Sequence, residues 1–495
     1  MLRFYKRHTD LSIWILFTIL SVFILLFISP DSYLNDLHSR VDSSWFFMCG
    51  KAWMNGLIPY VDFSDSKGPL LWLIYGIGYL LSHTNYLGVF WISCLWYGFT
   101  FFFTFKTARI FLPETRKAVF STILMALAFF NPWFHNEIRA EDFCSLFMTI
   151  SIYEVCKLVW GESTKTKWCF FLLGCCFSAL LLIKFNIAAM QAVLILAAFC
   201  FAVEAKSFWR NLLYCAAGGC AVCLPFLICF LIQGNLVAFI QEYFLRTWET
   251  ASISYVHQNA SLFNRLLLYF REWYCVLVEP EIGSLLLLLV MGGLFFSRQI
   301  NRCRYLILVV SLAVFALNIR HHILYYFTIS APFLLFLLIG CIKGISLKKT
   351  AAWLSLSLAA VGLCVVSHVL LVNLNTFLSR DTTERERYIR VSSAISQIGH
   401  PTLVNAFNHE TGVGTPAEAL PAGKYWARQN GSTREMDEEH LGLILSGKAD
   451  FVYVREPLVA LEHGLSIEDI VNAGYHIVCT GGEYEDSVLL SKNQQ

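Results

Sequence analysis

Residues 11–29 read LSIWILFTILSVFILLFIS, an uninterrupted apolar run that follows the basic residues Arg3, Lys6 and Arg7. Its length approaches the roughly 20 apolar residues with which an α-helix crosses a bilayer. The run is longer than the apolar core of a signal peptide, and no small-residue cleavage site follows it. We therefore predict an uncleaved first membrane helix with a cytoplasmic N-terminus, because basic residues favour that side.

The composition agrees with a chain made mostly of such segments. Of the 495 residues, 57% are hydrophobic and only 15% are charged. A soluble globular surface needs about a quarter of its residues charged, so soluble globular and disordered proteins are excluded. The formal charge of +2 gives no reason to expect nucleic acid as a partner. Most of the 17 cysteines fall in apolar runs, where they act as small hydrophobic residues rather than as a disulfide framework.

Further apolar segments predict a polytopic membrane protein, and the basic loops between them indicate its topology. If every segment crossed, the loop with Arg109, Arg116 and Lys117 would lie outside, against the positive-inside rule. The segment Pro69–Leu81 is too short to span, so we predict a helix at the outer interface and about eleven spans in total. The apolar segments fall at about 69–81, 86–106, 118–131, 142–160, 168–183, 186–203, 211–232, 282–297, 304–318, 323–342 and 350–373.

The tail after about residue 375 differs in character from the rest. Charge becomes dense there, and apolar runs shorten to strand length at 402–406, 450–454 and 476–479, with helical patterns at 384–398 and 436–445. We predict a membrane domain over 1–375 and a small α/β extracytoplasmic domain over 376–495. Tyr425, Trp426 and Arg428 are candidate sugar or acceptor contacts in this tail, with packing of the domain against the bilayer as the alternative.

The first outer loop carries two polar residues of interest. Asp42 follows the first span among aromatic neighbours, where a carboxylate is costly unless its charge is used, although it also fits a helix N-cap. Lys67 precedes Gly68, Pro69 and an apolar helix, so it can snorkel or bind a lipid phosphate at headgroup depth.

Other polar residues meet at the same predicted face of the membrane. Arg139 stands beside Glu141 and Asp142 at the mouth of a span, and one of these carboxylates can simply pair with the arginine. Lys184 interrupts an apolar run. The remaining candidates open a later span, where an aromatic belt also explains the tyrosines: Arg320, Tyr325 and Tyr326.

Together these residues suit a group transfer at the membrane surface. A carboxylate can take the proton of a hydroxyl acceptor, and cations can stabilise a phosphate that leaves. No phosphate-binding loop of the GxxxxGK[ST] type is present in the sequence. A donor that already carries its phosphate leaving group needs no such loop.

The order of these features resembles the GT-C superfamily of integral membrane glycosyltransferases, in particular bacterial family 39-like members such as protein mannosyltransferases and lipid A aminoarabinose transferases. The resemblance rests on Asp42 soon after the first span, on the KPPL-like element Lys67-Gly68-Pro69-Leu70, and on the acidic loop Arg139–Asp142. Gly68 replaces the first proline of the usual element.

The resemblance implies transfer of a sugar, with inversion, from a polyprenyl-phosphate donor at the outer face of the bacterial cytoplasmic membrane. It implies that Asp42 is the general base, that Glu141 or Asp142 orients the acceptor or a metal, and that Lys67 binds the phosphate. The acceptor stays open among a protein, a lipid and a glycan. Metal use varies across the superfamily, so the cofactor stays unassigned, with His135 and His257 as weak candidate ligands.

Two alternatives remain from the sequence. A lipid-linked glycan ligase or polymerase would share the donor and rely on outer-loop arginines such as Arg246, Arg265 and Arg271. A transporter or flippase is less favoured, because such proteins place ionisable residues near mid-membrane and often show repeated halves.

Overall fold

The structure is a computed structural model. It describes residues 2–35, 41–130, 138–161, 166–248, 261–318, 324–345, 350–368, 382–395, 399–409, 412–429, 432–480 and 487–493. The chain is mostly helical up to residue 395, and its strands all lie beyond residue 400.

Long apolar helices fill the first three quarters of the chain. Within the described ranges, seven helices are long and apolar enough to cross a membrane, so the chain is a multi-pass membrane protein. These candidate spans are Thr9–Ile28, Leu87–Phe111, Thr166–Ile183, Phe185–Ala202, Phe208–Gln233, Pro280–Ser297 and Tyr325–Ile342. Three shorter apolar helices are Pro69–Leu81, Leu306–Asn318 and Ala352–Val366. The count of about eleven spans stays a prediction.

The helices are numbered here in chain order with their bounds. Those of the first half are α1 Leu2–Ile28, α2 Val41–Met54, α3 Pro69–Leu81, α4 Leu87–Phe111, α5 Thr115–Phe129, α6 Ala140–Val159, α7 Thr166–Ile183, α8 Phe185–Ala202, α9 Phe208–Gln233 and α10 Leu236–Phe239. A π-helical segment, Ile240–Arg246, follows at once. The later helices are α11 Leu262–Val278, α12 Pro280–Ser297, α13 Leu306–Asn318, the 3-10 segment Leu324–Phe333, α14 Leu334–Ile342, α15 Thr350–His368, α16 Thr382–Ile395, α17 Arg434–Leu445, α18 Pro457–Glu462 and α19 Ile467–Asn472.

The tail forms a five-stranded mixed sheet in the order β2-β1-β3-β5-β4. Strand β1 pairs in parallel with β2 and β3, whereas β5 pairs antiparallel with β3 and β4. The strands are β1 Thr402–Asn405, β2 Leu420–Pro421, β3 Phe451–Val454, β4 Tyr475–Thr480 and β5 Val488–Lys492. The predicted α/β tail is confirmed, and the structure adds the short β2 and the terminal β5.

Both faces of this sheet are covered, because alternate residues of a strand point to opposite sides. Val404 and Val452 pack in one apolar cluster with Ile444 of α17. Leu403 and Phe451 pack in the other cluster, together with residues of α16. The alternation explains why the short apolar runs of the tail predict strands.

Contacts group the chain into two compact units, and each joins segments that are distant in sequence. One unit contains Met1–Ile28, Ser93–Phe226 and Ala260–Asn373. The other contains Ser29–Ile92, Leu227–Asn259 and Leu374–Gln495, so it combines the first loop with the sheet. We call them the helical unit and the sheet unit. The domain boundary at 375/376 stays a prediction.

Close packing of α2 on α3 shapes the sheet unit. A Cβ atom on Gly50 of α2 would clash with the backbone N of Gly76 on α3, and it would lie 2.8 Å from Trp72 O. Only glycine therefore allows this approach. The helix Pro69–Leu81 has the predicted bounds, and it begins with Pro69 at its first position after Gly68.

Candidate active site

The candidate base Asp42 lies in the first turn of α2, where a carboxylate interacts favourably with the positive end of the helix. Its side chain is half-buried. Burial raises the pKa of Asp65 and lowers the pKa of His409, and the charge of Asp42 adds a smaller upward contribution to both. The helix start therefore places Asp42 within electrostatic reach of the Asp65–Lys67 segment and of the tail.

Lys67 lies in a short hydrogen-bonded segment just before α3. Its Nζ donates to Ser66 Oγ at 3.1 Å, and it lies 5.7 Å from the ring centroid of Phe46 on α2. Its carbonyl oxygen accepts from the hydroxyl of Tyr60 at 3.2 Å. The structure thus brings the predicted phosphate ligand and the predicted base into the same unit.

Asp65 is a buried carboxylate that the sequence analysis did not select. Asp65 is only 7% exposed, and its Oδ1 accepts a hydrogen bond from the backbone N of Ser66 at 2.6 Å. Its Oδ2 has no hydrogen-bond partner in the part of the chain that the structure describes. Burial raises the pKa of the Asp65 carboxyl, Lys67 opposes that rise, and Asp42 adds to it.

A turn with unusual backbone geometry precedes this segment. Tyr60 has a φ of 65°, which is uncommon for a residue with a side chain, and its N–H donates to Phe63 O at 2.7 Å. The Tyr60 ring is buried against Trp72 and Phe239. Aromatic packing therefore holds the tight turn from Tyr60 to Phe63, directly before Ser64.

The tail contributes buried aromatic residues to the same unit. Trp426 is fully buried with its ring 5.1 Å from that of Trp45, and Tyr425 is 3% exposed with its hydroxyl donating to Glu242 Oε2 at 3.0 Å. Both side chains are therefore engaged within the sheet unit, and their role as sugar or acceptor contacts stays a prediction. Arg428 is half-buried and stays a candidate contact.

The second acidic loop lies in the helical unit, and its two carboxylates are both engaged. Glu141 is 3% exposed and forms an ion pair with Lys184, whose Nζ lies 3.7 Å from the ring centroid of Tyr326. Asp142 accepts from the backbone N of Arg139 at 2.7 Å and from the hydroxyl of Tyr97.

Arg139 takes part in this cluster through both its side chain and its backbone. Its guanidinium lies 3.7 Å from the ring centroid of Tyr325, while its backbone N–H serves Asp142. The pairing of the Arg139 side chain with one of the two carboxylates stays a prediction. Lys184, from a later segment, pairs with Glu141, and the hydroxyl of Tyr97, from an earlier segment, donates to Asp142.

Three candidate residues, His135, His257 and Arg320, lie outside the described residues. Across the ranges that the structure does describe, no group of three or more His, Cys, Asp or Glu side chains could hold a metal ion. Among the arginines of the ligase alternative, Arg246 pairs with Glu242, whereas Arg271 is exposed. Arg265 lies in α11.

Lys51 is the second buried charge that sequence reasoning missed. It is fully buried on α2, and its Nζ donates to Gly414 O of the tail at 2.8 Å. Burial lowers the pKa of Lys51 to about 7, and Glu418 opposes the shift. A lysine inside the apolar run WFFMCGKAWM could have signalled this position, because a buried cation needs a partner.

Two kinds of comparison find proteins similar to this chain. The family described as dolichyl-phosphate-mannose-protein mannosyltransferase matches residues 66–232. The crystal structure of ArnT from Cupriavidus metallidurans in the apo state is similar to the chain, with a TM-score of 0.62 and 13% identity. The chain has the GT-C fold. The family match and the fold together identify a glycosyltransferase.

The same ArnT bound to undecaprenyl phosphate is also similar, with a TM-score of 0.60 and 11% identity. Both comparisons cover 97% of this chain and 99% of the ArnT chain. No curated protein sequence is significantly similar to the chain. The GT-C resemblance predicted from Asp42, Lys67 and the acidic loop is therefore confirmed at the level of the superfamily.

Proposed function

We propose that the protein transfers a sugar from a polyprenyl-phosphate-linked donor to an acceptor at the outer face of the bacterial cytoplasmic membrane. The observation that carries this proposal is the placement of Asp42 and Lys67 in one compact unit, coupled electrostatically through Asp65. A structural relative that binds undecaprenyl phosphate supports the choice of donor.

In this reaction Asp42 accepts the proton of the acceptor hydroxyl. The oxygen of that hydroxyl attacks the anomeric carbon of the sugar at the same time. The bond between that carbon and the phosphate oxygen breaks, and the polyprenyl phosphate leaves with the electron pair. Lys67 stabilises the negative charge of the phosphate. A single displacement of this kind inverts the configuration at the anomeric carbon.

The acidic loop supports the acceptor side in this proposal. Glu141 or Asp142 orients the acceptor, while Lys184 forms an ion pair with Glu141. Arg139, Arg320, Tyr325 and Tyr326 complete the proposed substrate-binding set. Of these, Arg139 and Tyr325 already form a stacked pair in the helical unit.

The test is a transfer assay with purified protein in lipid nanodiscs. Undecaprenyl-phosphate sugars serve as donors, and release of undecaprenyl phosphate is the readout. Donor-dependent release supports the proposal, whereas substrate uptake into liposomes without release would indicate a transporter. Growth of a lipid-linked glycan chain in place of single-sugar transfer would indicate the polymerase alternative.

The orientation can be tested separately at Ser432, a residue of the tail beside α17. A single added cysteine there, in a background without reactive thiols, should be modified by a membrane-impermeant reagent in spheroplasts. Modification that appears only after lysis would place the tail in the cytoplasm. That result would force an even number of spans and remove the interfacial assignment of Pro69–Leu81.

A further inference from the structure

A buried charged centre lies in the π-helical segment Ile240–Arg246, outside the residues selected from the sequence. Glu242 is 6% exposed, and its Oε1 accepts from Lys424 Nζ at 2.6 Å. Its Oε2 lies 3.1 Å from Arg246 Nε and accepts from the Tyr425 hydroxyl at 3.0 Å. Single π-helical turns are rare and often occur at functional sites.

The same carboxylate reaches the segment that carries Lys67. The hydroxyl of Ser64 donates to Glu242 Oε2 at 3.4 Å. Two more bonds hold Ser64 from the tail: its N–H donates to Lys424 O at 3.1 Å, and its carbonyl oxygen accepts from Gln429 Nε2 at 2.7 Å. Every polar group of Ser64 is therefore bonded to Glu242 or to residues 424–429.

From Asp65, the residue after Ser64, three hydrogen bonds lead on to Lys67. Asp65 Oδ1 accepts from Ser66 N at 2.6 Å and from Ser66 Oγ at 3.3 Å. Ser66 Oγ in turn accepts from Lys67 Nζ at 3.1 Å. The position of the Lys67 ammonium thus depends on a short backbone segment whose first residue is held by the tail.

We propose that Glu242, Lys424 and Gln429 form a clamp that positions the Ser64–Lys67 segment, so that the tail sets the affinity of Lys67 for the phosphate of the donor lipid. Glu242 is the central positioning residue of this clamp. The inference rests on the proposed function, because it takes Lys67 as the phosphate ligand. It also gives the tail a role in donor binding, in addition to its place as a folded domain.

Charge balance explains why a glutamate occupies the centre of the clamp. A buried carboxylate is stable only when cations and hydrogen-bond donors surround it. Lys424 and Arg246 supply the cations, and Tyr425 supplies a hydroxyl. Ser64 then donates to a carboxylate that three other side-chain contacts fix in place, which is the requirement for a rigid support.

The test measures binding of undecaprenyl phosphate to the full-length protein in nanodiscs. We expect Lys67→Met to weaken binding about 10- to 150-fold, the range for one lost charge-assisted contact. We expect Glu242→Gln to weaken it about 5- to 30-fold and Gln429→Ala about 3- to 10-fold, because each loosens the segment without removing the ammonium. The control is Glu438→Gln, which changes an exposed glutamate of α17 that pairs with Arg434 and should leave the affinity unchanged.

Non-additivity separates positioning from general stability. Because Glu242 acts through Lys67, adding Glu242→Gln to Lys67→Met should cause little further loss of affinity. Additive losses would overturn the clamp. If Glu242→Gln does not fold, the same cycle with Gln429→Ala decides the question.

The outcomes also distinguish the clamp from the proposed function. If Lys67→Met weakens the binding of undecaprenyl phosphate but Glu242→Gln and Gln429→Ala leave it unchanged, the clamp alone is overturned. Unchanged affinity in Lys67→Met would overturn the phosphate role of Lys67, and the clamp with it.

Discussion

Glu141 of the helical unit and Asp65 of the sheet unit are both buried carboxylates, but their surroundings differ. Glu141, 3% exposed, has a lysine as ion-pair partner and a tyrosine ring beside that lysine. Asp65, 7% exposed, forms no ion pair with any described residue and leaves one oxygen without a hydrogen bond. A buried charge is usually paired, so the exception points to a group kept for another purpose.

The difference separates a carboxylate that stabilises the fold from one whose charge has a cost. Removing Lys184 leaves the Glu141 carboxylate buried without its cation, whereas neutralising Asp65 removes a charge that burial disfavours. The four predictions below use this contrast, from the largest expected effect to the smallest.

The largest effect should come from Lys184→Met. Breaking a buried ion pair by removing one partner costs about 3–5 kcal/mol. The Glu141→Gln/Lys184→Met double variant should recover most of that loss, because no unpaired charge remains. Thermal unfolding of the purified variants measures both effects. A single variant as stable as wild type would mean that water or lipid, not Lys184, balances Glu141.

Asp42→Asn should have the next largest effect, on activity instead of stability. The change keeps the shape of the side chain and removes the base, so we expect a loss of at least about 100-fold in transfer rate. Glu141→Gln serves as the comparison variant, since its effect on rate should accompany a loss of stability. Near-normal transfer by Asp42→Asn at equal expression would end the assignment of the base.

Lys51→Met should change the pH dependence of stability. Burial lowers the pKa of folded Lys51 to about 7, so the folded state disfavours the charged form. Between pH 7 and the unfolded pKa near 10.4 the unfolded chain binds more protons, and stability rises with pH. From pH 7 to 8.5 this gain is about 1.5 kcal/mol.

Thermal unfolding at several pH values tests this prediction. Lys51→Met should lose the rise in Tm between pH 7 and 8.5. The control is Lys448→Met, which changes an exposed lysine of the same unit and should keep the rise. An unchanged pH slope in Lys51→Met would show that other groups cause it.

Much of the fold could be predicted from the sequence because membrane helices and short strands leave local patterns. The run 11–29, the helix Pro69–Leu81 and three strands of the tail all follow from length, apolarity and alternation. The π-helical segment and α11 were missed inside a predicted outer loop. For α11 a signal existed, since Phe263, Phe270 and Tyr274 recur at helical spacing.

The candidate site was predicted only in part, for a physical reason. Asp42, Lys67 and Glu141 stand out because each is a charge in an apolar context. Their partners come from distant segments: Lys51 meets Gly414, and Ser64 meets Gln429. No local pattern encodes such contacts, so the clamp around Glu242 is visible only in the folded chain.

The smallest effect is expected for Asp65→Asn, and its sign is what matters. Burial raises the pKa of folded Asp65, so at neutral pH the ionised form costs stability that the neutral amide does not. We expect the Tm of Asp65→Asn at pH 7.5 to equal or slightly exceed that of wild type. The difference should shrink as the pH falls through the raised folded pKa and vanish near about pH 3, below the unfolded Asp pKa of about 3.9, where the carboxyl is protonated in both states.

Asp62→Asn is the matched control for Asp65→Asn, since it lies in the same loop and its Oδ2 accepts from Ile58 N at 2.6 Å. Asp62→Asn removes the negative charge that strengthens this hydrogen bond. The substitution should therefore lower the Tm of the protein instead of raising it. A clear loss of stability in Asp65→Asn, as large as that of Asp62→Asn, would mean that Asp65 is held by a favourable interaction like Glu141. The contrast between the two buried carboxylates would then disappear, and Asp65 would count as part of the framework of the fold.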